Sequence, residues 1–237
     1  MLTLIALTLV APATGFLDKT YKNADGHESP YVVFVPHGYD GTKAYPVILF
    51  LHGAGETKGG AKMPVEQGLG TYIKKHEKEF AYIAVIPQAE AAKQAVLGRW
   101  SATSPDSDRA LAMLDATMKE YKTDADRVIL TGLSMGGYGT WSHAAATPEK
   151  WAAIVPICGG GDVKAAAKLA KLPCWAFHGD KDTAVKVEKS REMIEAIKQA
   201  GGTPKYTEYP GVGHASWDQA YATPELWAWL AEQKRAK

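Results

Sequence analysis

Residues 127 to 137 read RVILTGLSMGG, a run that begins as an apolar, β-branched strand and continues, past a serine set between glycines, as a helix-like stretch. Within it, Gly132-Leu133-Ser134-Met135-Gly136 fits the pattern G-x-S-x-G. A serine on a tight strand-to-helix turn adopts strained backbone angles, and glycines two residues to either side remove the Cβ atoms that would clash. The turn also brings the N–H of the next residue beside an attacked carbonyl oxygen. The run therefore predicts Ser134 as a nucleophile and the Met135 N–H as an oxyanion donor.

Around this turn, short apolar runs alternate with longer helix-like segments, and no internal repeat or linker divides the sequence. Such alternation is typical of an α/β fold with a mostly parallel sheet covered by helices on both faces. The Asp25-Gly26 turn signal indicates an antiparallel hairpin at the N-terminal edge. We predict eight strands at 20–23, 31–36, 46–52, 82–87, 127–134, 151–158, 173–179 and 203–210. We predict helices near 66–79, 107–121, 135–147, 186–200 and 224–235.

A serine hydroxyl is a poor nucleophile unless a neighbouring base takes its proton, and seven histidines are available. His214 lies in a glycine-containing loop, after the last predicted strand and before the C-terminal helix, where the ring can turn toward the serine. His178 ends a predicted strand and stays a lesser candidate on chain order. His214 is the predicted base.

The base needs an acceptor on its other ring nitrogen, which fixes its tautomer and stabilises the imidazolium. The chain order Ser, Asp, His permits Asp162, Asp180 and Asp182, which all follow predicted strands. A side chain that ends a strand sits close to the sheet, which mildly favours the loop residue Asp182 over Asp180. Asp162 is the main rival, and the residues alone leave the choice open.

A second oxyanion donor is expected from the segment His52-Gly53-Ala54-Gly55-Glu56, which follows a predicted strand. Small residues leave backbone N–H groups accessible at such a turn. We predict the N–H of Ala54 as the donor, with that of Gly55 as the alternative. His52 itself is expected to be structural.

Four motifs in this order resemble the single-domain serine esterases of the α/β-hydrolase superfamily, in its phospholipase/carboxylesterase, dienelactone-hydrolase-like or prolyl-oligopeptidase-like branch. The resemblance covers the chain from about Phe16 to Gln233. It implies the α/β-hydrolase fold and an acyl-enzyme mechanism, and it favours Asp182 as the acid. Its fixed points are Leu49-Phe50-Leu51-His52-Gly53-Ala54-Gly55-Glu56, Gly132-Leu133-Ser134-Met135-Gly136-Gly137, His178-Gly179 leading to Asp182 and Val185, and Gly213-His214.

The sequence departs from two parts of that superfamily. Dienelactone hydrolases proper use a cysteine nucleophile, so Ser134 argues against that activity. Prolyl oligopeptidases carry a propeller domain for which 237 residues leave no room. The resemblance therefore implies a carboxylic ester hydrolase, with a serine peptidase of the prolyl-oligopeptidase type or an acyltransferase as alternatives.

The charge balance and the cysteine count limit which ligands and partners the protein is expected to bind. Lys plus Arg number 27 against 26 Asp plus Glu, and no run of five like charges occurs, so nothing indicates nucleic acid or an anionic membrane. Cys158 and Cys174 fall at opposite ends of neighbouring predicted strands, too far apart for a disulfide and too few to hold zinc. We expect no metal and no cofactor. The expected partner is a small-molecule or oligosaccharide ester, and the expected assembly is a monomer or weak homodimer.

Substrate clues come from the loops. Only about fourteen residues separate the strand that ends at Cys158 from the next, which leaves no room for a lid domain and predicts an open site. Gln88, Trp100 and Trp217 fall in loops that follow predicted strands, where they could contact an acyl, aryl or sugar group. By similarity to feruloyl and acetylxylan esterases, we hypothesise acetyl or hydroxycinnamoyl (feruloyl) esters of polysaccharide as substrates.

The N-terminus suggests export. Residues 1–10, MLTLIALTLV, are uncharged and mostly apolar, and Ala11-Pro12-Ala13 has the small-x-small form that signal peptidase accepts. The run is well short of the roughly 20 residues that cross a bilayer. We predict a signal peptide at 1–13, one domain at 14–237, and a secreted or periplasmic protein. The alternative is a retained edge strand in a cytoplasmic protein.

Overall fold

The computed structural model describes residues 12–57, 63–90 and 96–236, so residues 1–11 of the predicted signal peptide lie outside the described chain. Eight strands of the described chain form one sheet. They are β1 (Gly15–Lys22), β2 (Glu28–Val35), β3 (Tyr45–Leu51), β4 (Ile83–Pro87), β5 (Thr123–Leu133), β6 (Ala153–Ile157), β7 (Trp175–Gly179) and β8 (Lys205–Tyr209).

The strand order is β1-β2-β4-β3-β5-β6-β7-β8. Strand β2 is antiparallel to both of its neighbours, β1 and β4, and the remaining neighbours are parallel. The predicted mostly parallel, eight-stranded sheet with an antiparallel N-terminal edge is therefore confirmed. Because parallel strands end at a common edge, the loops after β3, β5, β7 and β8 meet there.

Helices cover both faces of the sheet. Alternate residues of β3 show this directly. Leu49 and Leu51 pack in a core with the helices at 105–120, 135–146 and 188–199, whereas Ile48 and Phe50 pack in a core with those at 69–75, 217–222 and 224–232. Burial on both faces is why the central strands are continuously apolar. The helices are α1 (Leu69–Lys75), α2 (Pro105–Glu120), α3 (Met135–Ala146), α4 (Ala166–Leu169), α5 (Glu188–Gln199), α6 (Trp217–Ala222) and α7 (Pro224–Glu232).

Three elements differ from the sequence prediction. Strand β1 begins at Gly15, five residues before the predicted start, because it pairs with β2 along its whole length, from Gly15 opposite Val35 to Lys22 opposite Glu28. Helices α4 and α6 were not predicted. A proline separates α6 from α7, since Pro224 occupies the first turn of α7, where a missing N–H costs nothing.

The connection from β6 to β7 is short, as predicted. It contains a 3-10 turn, Val163–Ala165, and the four-residue α4, so no lid domain is inserted there. Cys158 and Cys174 are both buried and free, which confirms the prediction that they do not form a disulfide. None of the helices in the described ranges is long and apolar enough to span a bilayer.

Two buried histidines make the stability of the fold depend on pH. Burial lowers the pKa of His52 and of His143 from 6.5 to about 4. The unfolded chain therefore binds protons at a higher pH than the folded protein, so unfolding becomes more favourable as the pH falls from 6.5 to about 4. Each ring contributes about 3 kcal/mol to this loss.

We therefore expect the free energy of unfolding in urea to fall across this window, and to fall less steeply in His143→Gln. Glutamine removes the titrating group while keeping a polar atom near Ser107, whose Oγ lies 2.9 Å from His143 Nε2. Equal pH dependence in the two proteins would contradict the assignment.

Candidate active site

The turn after β5 holds Ser134 in a strained conformation. Its φ is 54° and its ψ −114°, in the region that side-chain-bearing residues rarely adopt. Such a residue costs on the order of 1–3 kcal/mol and persists only where its surroundings enforce it. The Ser134 N–H donates to the Ile157 carbonyl at 2.9 Å, and the Tyr138 N–H donates to the Ser134 carbonyl at 3.0 Å. These bonds fix the serine between β6 and the first turn of α3.

The flanking glycines are required by close approach of the backbone. A Cβ atom on Gly136 would lie 1.8 Å from the Leu51 carbonyl oxygen, and one on Gly132 would lie 2.4 Å from the Gly136 carbonyl oxygen. No side chain fits at either position, since real contacts of this type exceed 3.0 Å. The G-x-S-x-G pattern is thus explained by α3 packing directly on the ends of β3 and β5.

Ser134, His214 and Asp182 form a continuous chain of hydrogen bonds. His214 Nε2 lies 2.9 Å from Ser134 Oγ, and His214 Nδ1 lies 2.7 Å from Asp182 Oδ2. A carboxylate can only accept, so Nδ1 carries the ring proton and the Nε2 of the neutral ring accepts from the serine hydroxyl. The Asp182 side chain has no exposed surface, whereas the His214 side chain is 28% exposed. The structure brings together the three residues that the sequence singled out.

The two rival carboxylates point elsewhere. Asp180 Oδ1 accepts the Gly211 N–H at 2.7 Å and so braces the loop that carries His214. Asp162 is exposed and caps the 3-10 turn that follows it, accepting the Lys164 N–H at 3.0 Å. Of the three aspartates among which the residues alone left the choice open, Asp182 is the one bonded to His214.

Ala54 and Met135 offer the two backbone N–H groups expected for an oxyanion. Met135 is the first residue of α3 and Ala54 begins a 3-10 turn, so neither N–H has an acceptor within its own helix. The turn at Ala54 comes close to the nucleophile, since a Cβ atom on the preceding Gly53 would lie 3.7 Å from Ser134 Cβ. This arrangement suits a negative oxygen held between the two donors.

The prediction that Trp100 and Gln88 contact the substrate is wrong, because both side chains are buried. Trp100 has no exposed surface and its indole N–H donates to the His52 carbonyl at 3.0 Å. Gln88 is 4% exposed and its amide donates to the Glu56 carbonyl at 2.7 Å. Both side chains brace the turn that bears Ala54 instead of lining the cleft.

The positions of Trp217 and His52 are consistent with the sequence predictions, which placed Trp217 near the substrate and His52 in a structural role. The Trp217 ring lies edge-on to the His214 ring at 5.5 Å, beside the reacting atoms. His52 is fully buried and structural, as expected. Its Nδ1 donates to the Gly53 carbonyl at 2.6 Å, and its Nε2 accepts the Ala89 N–H at 2.9 Å. It therefore ties the Ala54 turn to the loop after β4.

A second histidine contacts the acid, which the sequence analysis missed. His178 Nε2 lies 3.1 Å from the same Asp182 Oδ2 that binds His214, and 2.9 Å from the Val185 carbonyl oxygen. The two ring nitrogens of His178 contact Ser190, Asp182 and the Val185 carbonyl, whereas Ser134 Oγ is bonded to His214. The spacing His178-x-x-x-Asp182 was the available signal.

Cys158 also lies near the site. A ligand atom from each of Cys158, Asp182 and His214 falls within 4.8 Å of the others, the one such group found in the described chain. Burial raises the pKa of the Cys158 thiol well above its ordinary value, which keeps it protonated. Because Asp182 and His214 already bind each other, the arrangement is suited to proton transfer more than to metal binding.

A groove of about 370 Å³ is lined in part by side chains of α3. It starts at Tyr138, four residues and about 6 Å along the helix from Ser134. Leu97, which is 48% exposed, is one of the residues that line it. Its other lining residues include Trp141, Ala145, Gly160 and Met193.

The sheet order, the strained serine and its hydrogen-bonded histidine and aspartate define this protein as an α/β-hydrolase. More narrowly, the chain belongs to the dienelactone hydrolase family, whose model matches residues 27–225. The crystal structure of a thermostable esterase is similar to it with a TM-score of 0.83 and 33% identity, covering 93% of this chain and 63% of that one.

Two relatives of known description are more distant. A bifunctional acetylxylan esterase/xylanase of Neocallimastix patriciarum is 24% identical over 196 residues, 80% of this chain and 27% of the relative. A probable feruloyl esterase C of Aspergillus terreus is 26% identical over 186 residues, 76% of this chain and 64% of the relative. The chain thus spans less than two thirds of each relative's length. The family, both relatives and the solved structure are described as hydrolases or esterases.

Proposed function

We propose that this protein is a serine hydrolase that cleaves carboxylic esters through an acyl-enzyme. Ser134 Oγ attacks the ester carbonyl carbon while His214 Nε2 takes the hydroxyl proton, and Asp182 stabilises the imidazolium. The carbonyl oxygen becomes negative between the N–H groups of Ala54 and Met135. The C–O bond to the alcohol then breaks, and Nε2 returns the proton to the leaving oxygen.

Water completes the cycle. It attacks the acyl-enzyme carbonyl as His214 Nε2 takes one of its protons, and collapse of the second tetrahedral intermediate breaks the bond to Ser134 Oγ, which recovers the proton. The observation that carries this proposal is the pair of contacts at 2.9 and 2.7 Å from His214 to Ser134 and Asp182, built on a strained strand-to-helix turn. A serine held only as a helix cap would need neither the strain nor the buried acid.

For the substrate, we propose acyl esters on polysaccharide, with a hydroxycinnamoyl group preferred to acetyl. The relatives named as acetylxylan and feruloyl esterases support the class. The connection from β6 to β7 holds no lid domain, which suits access by the ends and branches of large molecules. The groove beside Ser134 supports the aromatic group, since its apolar wall exceeds what an acetyl group can fill.

A panel of substrates tests both levels of this proposal. We expect turnover of p-nitrophenyl acetate and of feruloyl esters, with larger kcat/KM for the feruloyl compounds, and no comparable turnover of the matching amides. Cleavage of p-nitrophenyl acetate with refusal of both feruloyl and acetylated xylan would contradict the substrate class alone. Preference for amides, or transfer to an added alcohol in place of water, would indicate a peptidase or an acyltransferase.

Tyr138 provides a test of the groove. Its ring forms the groove end nearest Ser134 and would lie 3.0 Å from a Cβ atom on Gly160. We expect Tyr138→Ala to lower kcat/KM for feruloyl esters about tenfold through lost ring contact, and to change p-nitrophenyl acetate little. Tyr138→Phe, which keeps the ring, is the matched control. Equal losses on both substrates in Tyr138→Ala would show that the groove does not select the acyl group.

A further inference from the structure

Asp182 is held by two histidines, and only one of them serves the nucleophile. Its Oδ1 accepts the N–H groups of Ala184 and Val185 at 2.8 and 2.9 Å. Its Oδ2 is shared between His214 Nδ1 at 2.7 Å and His178 Nε2 at 3.1 Å. The side chains of both Asp182 and His178 are fully buried, so no solvent competes for these bonds.

We propose that His178 is a positioning residue for the reaction, fixing Asp182 and setting how strongly it holds the protonated base. This inference rests on the proposed function. Both neighbours of His178 Nε2, Asp182 Oδ2 and the Val185 carbonyl, can only accept hydrogen bonds, so this nitrogen carries a proton. Its N–H therefore withdraws negative charge from the oxygen that faces His214.

The other side of the His178 ring is anchored to the fold. Its Nδ1 lies 2.7 Å from Ser190 Oγ on α5, and that oxygen also lies 3.0 Å from the Gly159 carbonyl oxygen, so the one hydroxyl proton is shared between these two acceptors when the ring is neutral. The ring thus spans from α5 to the acid and links the loops after β6 and β7. A side chain needed only to fill space would not require bonds at both nitrogens.

Glu208 is a charged group outside the site that interacts electrostatically with His178. Glu208 is opposite His178 in the β7–β8 pairing, but its carboxylate is engaged by Arg191, with Nε at 2.9 Å. The Cys158 thiol is kept neutral because burial raises its pKa. A change at His178 is therefore expected to reach the base through Asp182, whose Oδ2 is bonded to both rings.

Two substitutions separate the two ends of the ring. In His178→Gln the amide nitrogen falls near the position of Nε2 and can still donate to Asp182, whereas in His178→Asn it falls near Nδ1 and reaches only Ser190. We expect His178→Asn to lower kcat about tenfold with little change in KM. We also expect the pH midpoint of kcat/KM to rise by about half a unit or more, because Asp182 then holds the imidazolium more tightly.

His178→Gln should retain the wild-type midpoint and more of the activity. The matched control is His143→Gln, which removes another buried, serine-bonded histidine away from the site and should leave the midpoint unchanged. A wild-type midpoint in folded His178→Asn, or equal shifts in the Asn and Gln variants, would overturn the proposal.

A measurement on the unmodified protein covers the case in which the variants do not fold. In protein labelled with ¹⁵N-histidine, His178 Nε2 should be protonated at every pH at which the protein is folded. An unprotonated Nε2 would overturn the proposal. This result does not depend on ester cleavage, so failure of the proposed function, seen as inactivity toward every ester, is distinguished from failure of this inference.

Discussion

Replacing Ser134 by alanine is expected to lower kcat for ester hydrolysis about a millionfold, to the level left by binding and the oxyanion donors. Alanine removes the attacking oxygen, and no other hydroxyl in the described chain is bonded to His214. Initial rates with p-nitrophenyl acetate give the comparison. Strain at this position is unchanged because alanine also carries a Cβ atom, so the variant should fold.

Ser29→Ala is the matched control for that substitution. Ser29 is fully buried on β2, and its hydroxyl has no hydrogen-bond partner among the described residues, so its loss should leave turnover unchanged. Loss of a catalytic nucleophile leaves far less than about a hundredth of the wild-type kcat. If Ser134→Ala kept more than that, the assignment of the nucleophile would be wrong.

The second largest effect is expected for Asp182→Asn, with kcat falling about ten-thousandfold. The amide keeps the shape of the side chain but presents an N–H or a weaker acceptor to His214 Nδ1, which favours the wrong tautomer and no longer stabilises the imidazolium. Fluorophosphonate labelling of the folded variant should slow in parallel.

Asp162→Asn and Asp180→Asn are the controls, since both carboxylates follow strands of the same sheet edge. Asp162 only caps a turn, so its change should cost less than twofold in kcat by general surface effects. Asp180→Asn loosens the bond to Gly211 and should cost about tenfold at most. A larger loss at either position than at 182 would reassign the acid.

The sequence was sufficient for the sheet and for the turn that carries Ser134 because both depend on local pattern. It left the acid open among three aspartates, and only the family resemblance favoured Asp182. Continuous apolar runs predicted strands that are buried on both faces. The glycines around Ser134 predicted a tight turn, and the structure shows that the backbone there packs too closely for any side chain. Helix α6 was missed since its six residues are too few to establish a helical period. Pro224 begins the predicted last helix, so a separate helix such as α6 had to end before it.

The remaining errors concern where side chains point, which spacing along the chain does not determine. Trp100 and Gln88 follow β4 as a substrate-binding residue would, yet both turn inward to support the Ala54 turn. His178 was weighed only as a possible base, because its shared bond to Asp182 forms when the chain turns back after β7. In each case the direction of the side chain depends on the conformation of the loop that follows the strand.

The central claim, that Ser134 is the nucleophile of a Ser-His-Asp site, is tested most directly by locating a covalent adduct. The wild-type protein is reacted with a fluorophosphonate, digested, and examined by peptide mass spectrometry. We predict a single phosphonylated residue, Ser134. An adduct on another residue, or an unmodified Ser134 in a protein that hydrolyses p-nitrophenyl acetate, would contradict the account.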